Sequence, residues 1–260
     1  MVYPGVLIGL FLFSLISSGV SAEEVDQNTL AKIIQFINTN YQPPGQTDSG
    51  DGVQYAVAIN VPKEKCGPGF SEGGFLSVDS AKTVKEALEN HNLYQGTQLV
   101  AATPKGEKTT AVHSERALLM CEASSDAVTP VQNLLNKDQN GCVVFYTYNS
   151  PCLDFCLNQA KDDNEQNREN KQNERNQKKN IESTAAPAVK KCILKSLSVL
   201  TNHVGPKAFV FSRVYRKDEN KPTLKAALKV VAEQVPLYKC DAGSCVKCLS
   251  DGEIISQCLS

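Results

Sequence analysis

His113-Ser114-Glu115 and Pro151-Cys152-Leu153-Asp154-Phe155-Cys156 are the two segments of this 260-residue sequence whose side chains can do chemistry together. A catalytic zinc ion takes three protein ligands and keeps a fourth position open for water. His113, Cys152 and Cys156 supply one imidazole and two thiolates, which makes three. Cys152 and Cys156 lie four apart, so on a helix they project from one face, one turn apart, and close on the same ion. Glu115 is not needed as a ligand and is placed instead to hold and shuttle protons for the zinc-bound water. Zinc lowers the pKa of that water to about 7, so a hydroxide nucleophile becomes available near neutral pH. Each half alone has an ordinary explanation: a His before a Glu caps or packs a helix, and a close Cys pair in an exported protein forms a disulfide. The conjunction, in this order and with Pro151 directly before the first Cys, points to zinc.

The surrounding elements have to bring these residues together. His113 to Ser124 reads as a helix, apolar over Ala117-Leu118-Leu119-Met120. Cys142 to Tyr148 is a β-branched and aromatic run, suited to a central strand covered on both faces. It delivers the chain to Cys152, where a helix is expected to begin. Upstream, Asn28 to Tyr41 carries Leu30, Ile33, Ile34 and Ile37 at helical spacing, with Asn28 as N-cap. Gln54 to Val61 and Gln98 to Thr103 read as strands, and Asp79 to Asn90 as a short helix between them. Downstream, Lys207 to Tyr215 is a strand, Thr223 to Gln234 an amphipathic helix, and Val235 to Tyr238 a short last strand. Strands alternating with helices imply a mostly parallel sheet covered by helices.

Composition fits a soluble, exported protein. Hydrophobic residues make up 41%, charged residues 21%, and net charge is −1, so no global basic field advertises nucleic-acid binding. Residues 1–22 have the layout of a signal peptide: an apolar run from Val6 to Ile16, small residues at Val20-Ser21-Ala22, then Glu23-Glu24. The run is too short to span a bilayer, so no membrane partner is expected once it is removed. The domain that carries the zinc residues is expected over 23–239, with a polar insert at 161–187 that is either disordered or a solvated helix extension. A Cys-rich tail follows at 240–260. Of ten cysteines, the eight outside the zinc set are expected to pair. The tail cysteines Cys240, Cys245, Cys248 and Cys258 are expected to bond at least partly to Cys66, Cys121, Cys142 or Cys192. A zinc knuckle on Cys245 and Cys248 is the alternative.

The order His-x-Glu, then Pro-Cys and a second Cys, resembles the signature of the zinc-dependent nucleobase deaminases. Phe145-Tyr146-Thr147-Tyr148-Asn149-Ser150-Pro151-Cys152 is similar to the zinc-site strand and loop of the AID/APOBEC polynucleotide cytidine deaminases. Phe209-Val210-Phe211-Ser212-Arg213-Val214-Tyr215 resembles that family's fourth strand and its base-reading loop, and Lys225-Ala226-Ala227-Leu228 resembles the helix after it. With the signal peptide and the extra cysteines, the chain is most similar to the secreted novel AID/APOBEC-like deaminases of vertebrates. The resemblance implies an α/β, cytidine deaminase-like three-layer sandwich, with a mixed sheet of about five strands and helices on both faces. It implies a Zn2+ cofactor on His113, Cys152 and Cys156, with Glu115 as the catalytic acid/base. Tyr215 would stack on a base, Arg213 would contact a neighbouring base or phosphate, and Asn149 and Ser150 would line the substrate. The implied substrate is cytosine in single-stranded DNA or RNA, or in a free nucleoside; no protein partner is indicated. Two departures bear on substrate identity: Asn149 stands where the family has a Trp, and three residues rather than two separate the cysteines. The reading from another class is a secreted binding or structural protein that keeps zinc only to hold its fold.

Overall fold

The computed structural model describes residues 24–46, 52–106, 111–120, 128–178, 192–241 and 243–260. The expected signal peptide at 1–22, Cys121 and the last part of the polar insert lie outside the described residues.

The elements in order are α1 (Gln27–Tyr41), β1 (Ala56–Val61), a 3-10 turn at Lys63–Cys66, α2 (Ala81–Glu89), β2 (Tyr94–Gln95), β3 (Leu99–Ala102) and α3 (Ser114–Leu119). Then come α4 (Pro130–Leu135), β4 (Cys142–Asn149), α5 (Gln159–Lys178) and a 3-10 turn at Leu194–Leu197 that runs into α6 (Ser198–Thr201). The chain closes with β5 (Lys207–Arg213), α7 (Leu224–Ala232), β6 (Leu237–Asp241), β7 (Ser244–Lys247), β8 (Leu249–Ser250), β9 (Glu253–Ile254) and a 3-10 turn at Ser256–Cys258.

Seven strands form one mixed sheet in the order β2-β3-β1-β4-β5-β6-β7. Only β4–β5 and β5–β6 are parallel; the other pairings are antiparallel. The expectation of a mostly parallel sheet is therefore corrected, and the mixed sheet is the right description. Helices separate β4 from β5 and β5 from β6, which is the connection a parallel pair needs. The chain from β3 passes through α3 and α4 but enters the sheet beyond β1, so β3 and β4 never pair.

Alternation along the strands sorts side chains between two cores. Ala56 and Ala58 of β1, Val143 and Phe145 of β4, and Phe209 and Phe211 of β5 face one layer, with Leu118 of α3, Leu134 of α4 and Leu228 of α7. Phe145 and Phe209 stack there at 4.8 Å between centroids, a pair contributing about 0.5–1.5 kcal/mol beyond its burial. Val57, Ile59, Val144, Tyr146 and Val210 face the other layer, against Leu30, Ile33 and Ile37 of α1 and Val84 and Leu88 of α2. The result is a three-layer sandwich.

Four local expectations are corrected. The N-cap of α1 is Asp26, whose carboxylate accepts from Thr29 N at 2.8 Å, and Asn28 lies inside the first turn. Within the described residues α3 stops at Leu119, because Met120 is extended at φ −128° and ψ 153°. No regular helix begins at Cys152: residues 153–157 form a turn, and α5 starts at Gln159. The tail cysteines pair among themselves, as Cys240–Cys245 and Cys248–Cys258, while Cys66 bonds Cys142 and Cys192 is a free, buried thiol, so the eight cysteines outside the metal set do not all pair. Cys245 and Cys248 are thus both oxidised, which leaves no zinc knuckle. The physical reason is local: Cys240 and Cys245 stand opposite each other across the β6–β7 ladder. The Asp251-Gly252 turn between β8 and β9 brings Cys258 back to Cys248. Both turn residues have positive φ, 51° and 76°, as a two-residue type I′ turn requires. The polar segment from Gln159 to Lys178 is helical.

Candidate metal centre and active site

His113 is the residue before the first turn of α3, with extended backbone angles of φ −69° and ψ 152° and no side-chain capping bond. Its imidazole is therefore not spent on the helix and turns toward the end of β4. Beyond β4, Ser150 and Pro151 lead into a tight turn in which Leu157 N donates to Cys152 O at 3.0 Å, across five residues. The extra residue between the cysteines is absorbed in this wide turn, and both thiols still reach one point. Cys152 Sγ lies 3.5 Å and Cys156 Sγ 3.4 Å from His113 Nδ1. The three ligand atoms all lie within 4.8 Å of one another.

These separations fit a metal. Zinc–sulfur and zinc–nitrogen bonds of ordinary length at a tetrahedral angle place the two ligand atoms about 3.6 Å apart. The donor set, one imidazole and two thiols with no fourth protein ligand in the group, is that of a site with an open position. Cys152 and Cys156 are buried and not joined to each other. The hydrogen bond with Cys156, followed by His113, holds the Cys152 thiol well below its ordinary pKa, and the same contact pushes Cys156 up. The bond to Cys152 also raises His113. A metal ion takes the place of these shared protons, so its binding releases them.

Glu115 sits one residue into α3, 2% exposed. Thr147 Oγ1 donates to its Oε1 at 2.8 Å, and Ser114 Oγ to its Oε2 at 3.2 Å. Burial pushes the carboxyl above its ordinary pKa, opposed by its backbone bond and by Thr147. Burial thus favours the protonated form relative to a solvated carboxyl, the direction an acid/base group needs.

The other expected site residues cluster at the same ends of β4 and β5. Asn149 is half-buried and in register with Arg213, which is exposed. Ser150 is buried and binds β5's extension twice: its N–H donates to Arg213 O at 2.7 Å, and its Oγ accepts from Tyr215 N at 3.0 Å. Tyr215 is partly buried against the metal-side core.

Three residues here escaped the sequence reading. Gln54, just before β1, donates to Ser114 Oγ, Glu115 Oε1 and Thr147 Oγ1 and accepts from Asn149 N. Thr147 lay in the expected strand, and its position two residues after Phe145 puts it on the metal side by alternation alone. Asp218, fully buried, accepts from Leu153 N at 2.8 Å and pairs with Lys221 at 2.8 Å, tying the loop after β5 to the metal turn. Nothing in the sequence around Gln54 or Asp218 signals these contacts, because both act on distant segments.

Among the described residues, no helix is long and apolar enough to cross a membrane. The chain matches the family described as Secreted Novel AID/APOBEC-like Deaminase 1 over residues 27–181 and 180–260. No curated protein and no solved structure matches it.

Proposed function

The chain belongs to the Secreted Novel AID/APOBEC-like Deaminase 1 family, and from that premise we propose that it is a secreted, zinc-dependent hydrolytic deaminase converting cytosine to uracil in single-stranded nucleic acid. The observation that carries the reading is the convergence of His113 Nδ1 and two unoxidised thiols beside a buried, non-ligating Glu115. A scaffold metal has no use for such a carboxylate.

Zinc held by His113, Cys152 and Cys156 would supply a water acidic enough to act as a nucleophile near neutral pH. Beside such a nucleophile Glu115 would take up a proton and return it to N3 of the ring as the C4–O bond forms, and would then pass a second proton to the exocyclic nitrogen, which leaves as ammonia as the C4–N bond breaks. Water and cytosine thus become uracil and ammonia, with Glu115 unchanged at the end. Ser114 and Thr147 hold its carboxylate during these transfers.

Tyr215 and Arg213 support a polymer substrate, as a stacking platform and a cationic contact beside Asn149. With a net charge of −1, binding is weak and has a short footprint, so few phosphates are neutralised and its salt dependence is shallow. The signal-peptide layout of residues 1–22, three disulfides and the family's description support export.

The test is incubation of purified zinc-loaded protein with single-stranded DNA, single-stranded RNA and free cytidine, reading uracil or uridine formed. Product in an oligonucleotide is expected. Product from cytidine alone would make it a free-nucleoside deaminase. No product from any of the three, with zinc retained, would favour a binding protein.

A further inference from the structure

Gln54 contacts the start of α3 and two positions of β4 at once. Its orientation follows from one partner. A main-chain N–H can only donate, so the Gln54 oxygen must face Asn149 N, at 2.9 Å. The amide nitrogen then necessarily faces Thr147 Oγ1 at 2.8 Å, Ser114 Oγ at 3.1 Å and Glu115 Oε1 at 3.2 Å. Two N–H groups thus serve three oxygens, and one N–H of Asn149 serves the carbonyl. Both N–H groups of Gln54 are thereby taken up within the site, and only one lone pair of its oxygen remains.

The consequence runs through Glu115. Thr147 Oγ1 has one proton and two acceptors within reach, Glu115 Oε1 at 2.8 Å and Asn149 O at 3.0 Å. By donating to Thr147 Oγ1, Gln54 occupies a lone pair and turns that proton outward toward those acceptors. By donating to Glu115 directly, it adds a second hold on Oε1. The same side chain fixes Asn149, two residues before Pro151 and the metal turn. Glu115 is thereby held in place relative to the strand end that delivers both thiol ligands.

We propose that Gln54 is the positioning residue of Glu115: it sets where the carboxylate stands relative to the metal turn and touches no substrate. The inference rests on the proposed role of Glu115, but its geometric half is measurable without any activity. Gln54→Ala removes every one of these bonds. Gln54→Glu keeps the shape and the bond from Asn149 N, yet places a carboxylate oxygen where the nitrogen stood, against Glu115 Oε1.

The experiment compares the zinc-loaded full chain with both variants by crystallography, zinc content and steady-state kinetics on a single-stranded cytosine oligonucleotide. The expected result is unchanged zinc content and a Glu115 carboxylate displaced from Thr147 in both variants. The turnover number kcat should fall by roughly 10–100-fold, with KM within about threefold, the pattern of a misplaced group that acts in the transition state. Glu115 unmoved, or kcat unchanged, would overturn the proposal. A KM rise at constant kcat would also overturn it, because Gln54 would then be a substrate contact. If Gln54→Ala fails to fold, the isosteric Gln54→Glu decides by the same readouts. If the parent deaminates nothing, the proposed function fails, while the position of Glu115 in the variant crystals still decides this inference.

Discussion

Cys152 and Cys156 are spaced almost as Cys240 and Cys245 are, yet one pair stays reduced and the other is a disulfide. The difference lies in what stands around each pair. Cys240 and Cys245 face each other across the β6–β7 ladder, Cα atoms 4.0 Å apart, and among the described residues no other metal-binding side chain is grouped with them. Cys152 and Cys156 sit on a turn at the end of β4, and an imidazole nitrogen lies 3.5 and 3.4 Å from their sulfurs. Spacing alone does not decide the fate of a Cys pair. A third ligand, delivered from a distant helix start, does. The contrast extends over the described residues: six cysteines are disulfide-bonded, two after the C-terminal end of β4 converge on His113, and Cys192 is a free thiol apart from both.

His113→Ala attacks this contrast most strongly. It should abolish zinc binding and all measurable uracil release, since one of three ligands is gone. Without imidazole or metal, Cys152 and Cys156 should behave like the other pair, and mass spectrometry of the secreted variant should find them joined. Two freely alkylated thiols would show that something besides His113 keeps them apart.

Breaking the scaffold pairs should do the reverse, lowering stability while zinc content holds. The loop-closure argument ranks them: separations of 76, 10 and 5 residues correspond to about 4–5, about 3 and about 2 kcal/mol. Chemical denaturation of the paired Cys→Ser variants should therefore order Cys66/Cys142 first, Cys248/Cys258 second and Cys240/Cys245 last. Zinc loss from any of them at temperatures where the fold persists would mean that the two cysteine classes are not independent.

The smallest effect is expected at Glu253. Its contacts with Lys225 and Lys229 are exposed, and such pairs contribute little. Glu253→Gln should leave both the thermal melt and the zinc content unchanged, and a clear drop in either would mean that the tail is coupled to the site through charge.

The sequence made the metal residues visible because ligand chemistry restricts residue types so sharply: an imidazole, an acid two residues on, and two thiols after a proline. It made β4 visible because a strand covered on both faces must be apolar throughout, as Val143, Val144, Phe145 and Tyr146 are. It hid β8 and β9, whose two residues each are too short to show alternation, although Asp251-Gly252 is a hairpin turn signal. The antiparallel placement of β1 and β3 was hidden too, because strand direction depends on which neighbour a strand finds. Gln54 and Asp218 were the deepest omissions. A lone amide and a lone carboxylate have no local pattern, and their partners lie dozens of residues away in the chain.

The central claim is that Glu115 moves protons beside a metal it does not bind, and Glu115→Gln tests it most directly. Gln keeps the shape and can still accept from Thr147, while it cannot take up a proton at neutral pH. The variant should bind zinc and melt as the parent does, and should release uracil from a single-stranded oligonucleotide at least ~10²-fold more slowly. Uracil release at the parent's rate, with zinc bound, would contradict the account.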